Sequence, residues 1–349
     1  MRDEFRHLDV PLSSSIVLNN KRYLYFGGTA YLGIPQNKDF LELYLQGLSK
    51  FGLNNGTSRA NNVQLGIYND AEAFAASYFG AEDCLITSSG YLAAQLVLKE
   101  LSSLGELRYA PASHPALWLD GAPNVNLGFD TWAADLVAEI NESAKQNWVI
   151  VSNSLNNLYP EVYDFSFLKD IEITKNITLI VDDSHGIGVV GSGKGVFSGL
   201  PTQNNIERLV LASMAKALGV DAGLIIGSRH LISKLKQTQE FLGASPPAAA
   251  GLFAFMNASS IYRTEHSKLV DLTQHLGLHL ASHDAWTFDP EFPVFLSTKE
   301  GLADRLFNRD ILISSFAYPD KNGGVIDRIV LSSWHSLLDI EELVLALSD

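Results

Sequence analysis

The sequence predicts an α/β fold in which a mostly parallel sheet is covered by helices, followed by a smaller α+β unit. Short apolar runs alternate with helical stretches in the first part of the chain, as in NWVIVSNS, ITLIVDDSHG and IERLVLASMAK. Wholly apolar runs of this length suit strands that are buried on both faces. After GASPP the chain is mostly helical and then alternates short strands with helices, which indicates a second unit.

The length of 349 residues suggests two domains at about 150 residues each. We predict an N-terminal segment over 1–37, a large domain over 38–240 and a small domain over 241–349. SIVLNNKRYLYFGGTAYLG predicts a hairpin that turns at Asn19 and Asn20.

Several further elements follow from local patterns. Helices are predicted over 38–50 and 69–80, the second with an Asn or Asp N-cap and a glycine stop. DCLITSSG indicates a strand and YLAAQLVLKELSSLG the helix after it. In the small domain FPVFLST, ILISSFAYP and DRIVLSSWH indicate strands, and KEGLADRLFNRD and LLDIEELVLALS indicate helices.

Composition excludes some classes of partner. The net charge of −14 repels nucleic-acid backbones and anionic lipids, so neither partner is expected. No apolar run reaches the roughly eighteen residues of a membrane span. The N-terminal stretch lacks the apolar core of a signal peptide, and the single cysteine, Cys84, suits a reducing compartment. We therefore predict a cytoplasmic protein.

The residues that follow the predicted strands indicate an anion site. Ligands of open parallel sheets bind beyond the carboxyl ends of the strands. Ser88, Ser89 and Gly90 follow DCLIT and open a helix. Small residues there expose backbone N–H groups, and the helix dipole favours an anion such as phosphate. A plain turn without a ligand fits these residues equally well.

A carboxylate pair follows the strand ITLIV. Asp182 and Asp183 are succeeded by Ser184 and His185. A carboxylate at the end of a buried strand needs a cation or a hydrogen-bond donor. A helix N-cap, a buried hydrogen bond or a metal site of Asp182, Asp183 and His185 would also use these residues, but no second ligand cluster supports the metal, and we predict none.

The stretch GIGVVGSGKG comes close to a phosphate-binding Walker A loop. Gly188, Gly193 and Lys194 fit its spacing, but Gly195 stands where the motif needs Ser or Thr. The following VFSGLPTQ does not have a helical pattern. We therefore do not expect nucleoside triphosphate binding.

The last strand end carries a lysine. Lys216 follows RLVLA and Ser213 among small and apolar residues. It is either a surface residue or a desolvated amine, which would be nucleophilic toward carbonyls. An anion cradle, a strand-end carboxylate and a lysine are together what pyridoxal 5′-phosphate (PLP) requires: a phosphate site, a partner for the pyridine nitrogen and a Schiff-base amine.

The chain resembles the fold-type I PLP-dependent transferases from about Tyr23 to its C-terminus. Within them it is most similar to the α-oxoamine synthases, which include 8-amino-7-oxononanoate synthase, glycine C-acetyltransferase, 5-aminolevulinate synthase and serine palmitoyltransferase. The blocks that carry the resemblance are SSGYLAAQ, SHPALWLDG, VDDSHGIGVVGSGKG, SMAKALGVDAG, GASPP and DRIVLSSWHSLLDIEEL.

The resemblance implies how the cofactor phosphate is held. The backbone N–H groups of Gly90 and Tyr91 would bind it, with Ser89 beside them and Ser213 as a further contact.

The resemblance also implies roles around the cofactor ring. His114 would stack on it, Asp182 would keep the pyridine nitrogen protonated, and His185 would lie by the phenolic oxygen. Lys216 would form the Schiff base, and Asn157 falls where the family has a serine that bonds the cofactor. We predict His114, Asp182, His185 and Lys216 as the catalytic residues.

Substrate contacts and assembly follow from the same resemblance. Arg328 would grip a substrate carboxylate, although a structural salt bridge would also explain it. GASPP would cross toward a second subunit, so a homodimer is expected. The chain departs from the family at Thr29, Ala30 and Tyr68, where Asn-Asp and His are usual, and at Asn157. These departures affect the segments that handle the substrates.

Three functions are compatible with these residues. The first is a synthase that joins an amino acid to an acyl-CoA with loss of carbon dioxide, with Lys216 and His114 moving protons. The second is an aminotransferase of class I/II. The third is a pseudo-enzyme that keeps the cofactor pocket without turnover.

Overall fold

The computed structural model describes residues 3–318 and 323–348. Pro319, the last residue of the predicted strand ILISSFAYP, lies outside the described residues, as do the chain ends at 1–2 and 349. The strands are β1 (Ser15–Leu18), β2 (Lys21–Phe26), β3 (Asp83–Thr87), β4 (Glu106–Tyr109), β5 (Asn147–Asn153), β6 (Leu155–Asn156), β7 (Glu161–Val162), β8 (Asn176–Asp182), β9 (Ile206–Ser213), β10 (Gly223–Gly227), β11 (Trp286–Phe288), β12 (Val294–Ser297), β13 (Ile311–Tyr318) and β14 (Gly324–Val330). The α-helices are α1 (Lys38–Phe51), α2 (Ile67–Phe79), α3 (Gly90–Leu101), α4 (Phe129–Glu142), α5 (Arg229–Lys236), α6 (Gln239–Gly243), α7 (Ala249–Asn257), α8 (Ser259–Leu280), α9 (Leu302–Phe307) and α10 (Leu337–Ser348).

The first sheet has the order β3-β10-β9-β8-β5-β4. Strands β4, β5, β8 and β9 are parallel, whereas β10 runs antiparallel to both its neighbours. The mostly parallel sheet is therefore confirmed, and β10 is an addition to it. Residues 214–222 link β9 to β10, and a parallel crossover usually needs a dozen or more residues. The short link therefore forces the chain to turn straight back.

The second sheet has the order β1-β2-β13-β14-β12-β11. The predicted hairpin is confirmed: Asn19 and Asn20 have φ of 52° and 62°, and two consecutive positive values fit a type I′ turn. Strand β2 pairs in parallel with β13, so the N-terminal hairpin shares a sheet with strands from the end of the chain. The division into 1–37, 38–240 and 241–349 stays a prediction.

The helix over 69–80 begins two residues earlier than predicted. Its N-cap is Gly66, whose carbonyl accepts from the N–H groups of Asn69 and Asp70 at 3.1 Å each. The prediction of an Asn or Asp N-cap is therefore wrong, because both residues already lie in the first turn. The glycine stop is confirmed, since Gly80 has the left-handed conformation that commonly ends helices.

A large apolar core joins the two sheets and their helices. A second apolar cluster packs α3 and α5 against the other face of the first sheet. Each face of this sheet is thus covered, as wholly apolar strands require. Among the described residues, no helix is both long and apolar enough to span a bilayer.

Helices α1 and α7 approach each other closely at Gly47. A Cβ added to Gly47 would lie 2.9 Å from both the Cα and the carbonyl oxygen of Ala250. Because these are backbone atoms, they cannot move aside as the end of a flexible side chain could. The absence of a side chain at Gly47 therefore sets the distance between the two helices.

We expect Gly47→Ala to lower the free energy of unfolding by about 1–3 kcal/mol, the usual range for overpacking. Helix propensity alone would predict a gain of up to about 1 kcal/mol. Urea denaturation measures the change. The matched control is Gly243→Ala in α6, where a Cβ meets no atom within 4 Å. An equal shift in both variants would show that the approach of Ala250 does not matter.

Candidate active site

The carboxyl ends of the central strands meet at one edge of the first sheet. In the strand register Asn153 lies opposite Asp182, and Asp182 opposite Leu211. On the other side, Ser213 lies opposite Gly223 and Gly223 opposite Thr87. The polar residues that follow these strands are thereby brought together, as the strand-end argument predicted.

A cavity of about 170 Å³ lies at this edge. Eight of the ten predicted site residues line it: Gly90, Tyr91, His114, Asn157, Asp182, His185, Ser213 and Lys216. Ser89 and Arg328 do not line it, and both lie next to residues that do. The cavity is also lined by Ala116, Asn153, Ser154, Leu155 and Ser184, which the sequence did not single out.

One end of the cavity is formed by the start of α3. Ser89 is the N-cap, and its Oγ accepts from Leu92 N at 3.1 Å. The N–H groups of Gly90 and Tyr91 precede the first intrahelical bond and point out of the helix. A Cβ on Gly90 would lie 2.6 Å from the Cβ of Ser213, so only glycine lets the helix approach this strand end. The result is an anion cradle made of N–H groups and a hydroxyl.

Lys216 lies on the tight link between β9 and β10. Met214 N donates to Ala222 O at 2.9 Å, and Val220 N donates to Met214 O at 3.1 Å. Burial lowers the pKa of Lys216, and the Asp182 carboxylate acts in the opposite direction. Lys216 is thus the desolvated amine of the two alternatives, and not a surface residue.

The two adjacent carboxylates have different surroundings. Asp182 lines the cavity, and its Oδ1 accepts from Ser184 N at 2.9 Å. The predicted buried hydrogen bond and the predicted cavity position are therefore both present. Asp183 points into the protein, where its Oδ2 accepts from Val196 N at 3.0 Å. Cβ atoms on Gly186 or Gly195 would lie 2.0 or 2.1 Å from its carboxylate oxygens.

The two histidines both line the cavity but are held by different contacts. The loop that carries His114 is fixed by Asn153, whose amide accepts from His114 N at 3.1 Å and donates to Ala112 O at 2.7 Å. The Nδ1 of His114 accepts from Ala116 N at 3.1 Å, so the neutral ring carries its proton on Nε2. His185 is mostly buried, and its Nδ1 lies 2.8 Å from the Tyr31 phenol oxygen. Burial, followed by the charge of Lys216, holds the pKa of His185 well below its usual value.

Arg328 lies on β14 behind the cavity. Its side chain is buried, its Nη1 donates to the carbonyl oxygen of Asn157, and its guanidinium lies 5.2 Å from the Phe316 ring centre. The Nε is buried without a hydrogen-bond partner. In the part of the chain that the structure describes, no carboxylate pairs with Arg328, so the structural salt bridge is not observed. Burial lowers the pKa of this group.

Two predicted features lie away from the cavity. Tyr68, one of the departures, is buried beneath Arg59 and lines a separate cleft next to Pro246 and Pro247 of GASPP. Lys194 of the Walker-like stretch lies over the Tyr78 ring, with its Nζ 2.9 Å from the ring centre. Only a single 3-10 turn follows this stretch in place of the α-helix that a Walker A loop requires.

Some residues at the site carried a signal that sequence reasoning did not use. Asn153 and Ser154 come soon after the apolar run of β5, with only Ser152 between, so the strand-end argument applies to them too. Ser184 lies between two predicted residues, and its Oγ accepts from Ser213 N at 2.8 Å, which joins two strand ends. Tyr31 carried no local signal, because its partner His185 lies far away in the sequence.

Comparison with known proteins identifies the family. The family model for aminotransferase class I and II matches residues 119–315. The chain belongs to this family. Within the aminotransferase class I and II family, it is a PLP-dependent enzyme. The residues at the cavity fit this cofactor, because a cradle at Gly90, an acid at Asp182 and a desolvated amine at Lys216 supply its three binding groups.

Curated relatives of this protein match nearly the whole length of its chain. An 8-amino-7-oxononanoate synthase from Thermosipho melanesiensis is 23% identical over 96% of the chain and 90% of its own length. One from Saccharophagus degradans is 26% identical over 94% and 87%.

Solved structures support the fold. A serine palmitoyltransferase from S. paucimobilis, solved with PLP and myriocin bound, has a TM-score of 0.83 at 14% identity, covering 99% of this chain and 92% of that one. An 8-amino-7-oxononanoate synthase from Francisella tularensis has a TM-score of 0.71 at 17% identity, covering 93% and 97%. The predicted resemblance, fold class and cofactor are confirmed.

Asp183 gives the protein a distinctive dependence of stability on pH. Burial raises its pKa to about 7, whereas an exposed aspartate titrates near 3.9. Between these values the folded protein binds more protons, so this group's contribution to the free energy of unfolding falls as the pH rises. We expect Asp183→Asn to remove that fall, which is on the order of 4 kcal/mol between pH 4 and 8.

Urea denaturation of both proteins at several pH values measures this effect. The difference between variant and wild type separates Asp183 from the histidines, whose lowered pKa values act with the opposite sign. A constant difference across the pH range would mean that Asp183 keeps an ordinary pKa.

Proposed function

We propose that this chain joins an amino acid to an acyl thioester with loss of carbon dioxide, the reaction type of the α-oxoamine synthases. The main supporting observation is that Lys216, His114 and Asp182 line one cavity, and that Arg328, bonded to the lining residue Asn157, has a buried Nε with no partner among the described residues. The relatives named 8-amino-7-oxononanoate synthase, which match nearly the whole chain, favour this reaction over others of the family.

PLP, when bound, supplies a ring that stabilises negative charge on the α-carbon of an amino acid. Its phosphate would be held by the N–H groups of Gly90 and Tyr91 and by the Ser213 hydroxyl. The Asp182 carboxylate would hold a proton at the ring nitrogen, and that proton keeps the ring electron-withdrawing. Asn157 and His185 would complete the lining around the ring.

Lys216 provides the amine that binds the cofactor aldehyde and later moves protons. Its lowered pKa increases the fraction of neutral amine near pH 7, and only the neutral form attacks a carbonyl or accepts a proton. The amine of Lys216 would also take the proton from the α-carbon of the amino acid. General base catalysis of this kind contributes about 10²–10⁴-fold to the rate.

His114 would act on the acyl substrate. Because its Nδ1 is occupied by Ala116 N, the proton on Nε2 is available for donation. Burial lowers the pKa of His114, so the neutral form dominates at pH 7. In this form it can donate a hydrogen bond to the thioester carbonyl oxygen as negative charge develops there.

Arg328 would bind the carboxylate of the amino acid. A buried guanidinium with an unpaired Nε is a costly arrangement unless an anion completes it. A carboxylate fits its planar set of N–H donors, and charge-assisted bonds of this kind are strong. Arg328 would also orient the carboxylate that leaves as carbon dioxide.

An aminotransferase remains the second candidate, because the matching family model describes aminotransferases and the same residues would serve. The purified protein, loaded with PLP, is incubated with glycine, alanine or serine and a series of acyl-CoA thioesters. We expect free thiol and carbon dioxide in equal amounts. The sole cysteine, Cys84, is buried, so the thiol assay has a low background.

The Lys216→Ala variant is the control for this experiment. It should lose the visible absorbance of the lysine-bound cofactor and lower thiol release by about 10³-fold or more. If the wild type forms an oxo acid and the aminated cofactor without thiol, the aminotransferase is correct. If neither product forms and the α-proton of no amino acid exchanges with solvent, the chain is a pseudo-enzyme.

Replacement of Arg328 tests its role in substrate binding. We expect Arg328→Lys to raise the KM for the amino acid about 10- to 100-fold, since a bond to a charged group contributes about 1.5–3 kcal/mol. The KM for the acyl thioester should change little. Arg108→Gln, which removes an arginine paired with Glu139 at the far side of the sheet, serves as the control. Equal changes in both KM values would argue against carboxylate binding.

Two expectations stay predictions. They are the homodimer, which the resemblance implies, and the cytoplasmic location, which rests on composition. The substrate series described above would identify the amino acid and the acyl group.

A further inference from the structure

We propose that Tyr31 is a positioning residue that holds His185 as the neutral tautomer with its proton on Nε2. The inference rests on the proposed role of His185 beside the cofactor ring. It does not depend on which reaction the enzyme catalyses. Tyr31 directly follows Thr29 and Ala30, two of the positions at which the chain departs from the family.

The hydrogen bond itself has one favourable direction. The Tyr31 phenol oxygen lies 2.8 Å from His185 Nδ1, and the Tyr31 side chain is buried. Burial raises the pKa of this phenol, so it keeps its proton. Among the described residues, His185 is the one hydrogen-bond partner of the phenol group. If Nδ1 donated instead, the phenol proton would have no acceptor in a buried place, which is costly.

The charges around His185 favour the neutral ring. Burial is the largest cause that disfavours a second proton on His185, and the positive charges of Lys216 and Arg328 act in the same direction. The only ring proton then lies on one nitrogen. With Nδ1 accepting from Tyr31, that nitrogen is Nε2, on the opposite edge of the ring.

The position of the phenol is fixed from three sides. The carbonyl of Tyr31 accepts from Ser333 N at 2.9 Å, and the preceding carbonyl of Ala30 accepts from Ser332 Oγ at 2.6 Å. The ring of Phe292 packs edge-on against Tyr31, with centres 5.7 Å apart. The two hydrogen bonds fix the backbone of this segment, and the burial of the ring against Phe292 restricts its rotation. This rigidity is what a residue that fixes a tautomer requires.

The consequence is a fixed N–H donor at the cavity. A protonated Nε2 suits an anionic oxygen, and the cofactor carries one next to its aldehyde. The opposite tautomer would present a lone pair to that oxygen and repel it. Tyr31 would thereby favour cofactor binding without touching the cofactor.

The direct test is the tautomer of His185 in protein free of cofactor, read from the ¹⁵N chemical shifts of labelled histidines. His185→Gln identifies the signal. We expect wild type to show a proton on Nε2 with an unprotonated Nδ1. Tyr31→Phe should lose this preference and give a mixture. The matched control is Tyr25→Phe, which removes a mostly buried phenol from the nearby strand β2, outside the cavity.

Cofactor binding gives a second readout. We expect Tyr31→Phe to weaken PLP binding about 3- to 10-fold and to shift the pH midpoint of the bound-cofactor absorbance, with no change in Tyr25→Phe. A proton on Nδ1 of wild-type His185, or an unchanged tautomer in Tyr31→Phe, would overturn the proposal. If Tyr31→Phe does not fold, the wild-type spectrum alone decides. If the wild type releases no thiol but His185 carries its proton on Nε2, only the proposed reaction is contradicted.

Discussion

The removal of the Lys216 amine from water is the constraint on which the rest of the site depends. A desolvated ammonium is unfavourable, and the Asp182 carboxylate is what acts against that penalty. The amine is held in place by the short link between β9 and β10. Three residues of this link, Met214, Ala217 and Leu218, are buried. The same short link makes β10 run antiparallel to β9. The link therefore determines both the direction of β10 and the position of the reactive lysine.

The neighbouring carboxylates show how two identical side chains obtain different properties. Successive residues of an extended chain point to opposite sides, so Asp182 faces the cavity and Asp183 faces the interior. Asp183 is buried next to two glycines, and burial raises its pKa to about 7 even though one backbone N–H acts in the opposite direction. Through its hydrogen bond from Val196 N, Asp183 connects the end of the glycine-rich stretch to β8, the strand that carries Asp182.

The central strands and much of the site could be predicted because burial and strand direction are local properties. The apolar runs of β5, β8 and β9 define the sheet, and parallel strands must place their carboxyl ends at the same edge. Strand β4 was missed because ELRY is half-buried and has no apolar run, and β10 because GLIIG is short. The direction of β10 depends on the length of its connection, which composition does not reveal.

Contacts between distant segments could not be predicted in the same way. Arg328 was found through the resemblance, but its burial against Phe316 and Asn157 depends on how the two sheets pack. The link between Tyr31 and His185 has no pattern of its own, since a tyrosine between glycine-containing turns has many uses. Such pairs are determined by tertiary packing, and a single sequence contains no periodic signal for them.

The shared sheet of β2 and β13 also has a consequence for synthesis of the chain on the ribosome. The segment around Tyr31 is held by Ser332 and Ser333, and Ser332 lies 302 residues after its bonded partner Ala30, so it is translated much later. The nascent chain therefore exposes Lys216 long before the pocket around it is complete. The contacts that position Tyr31 beside His185 can form only after Ser332 and Ser333 have been translated.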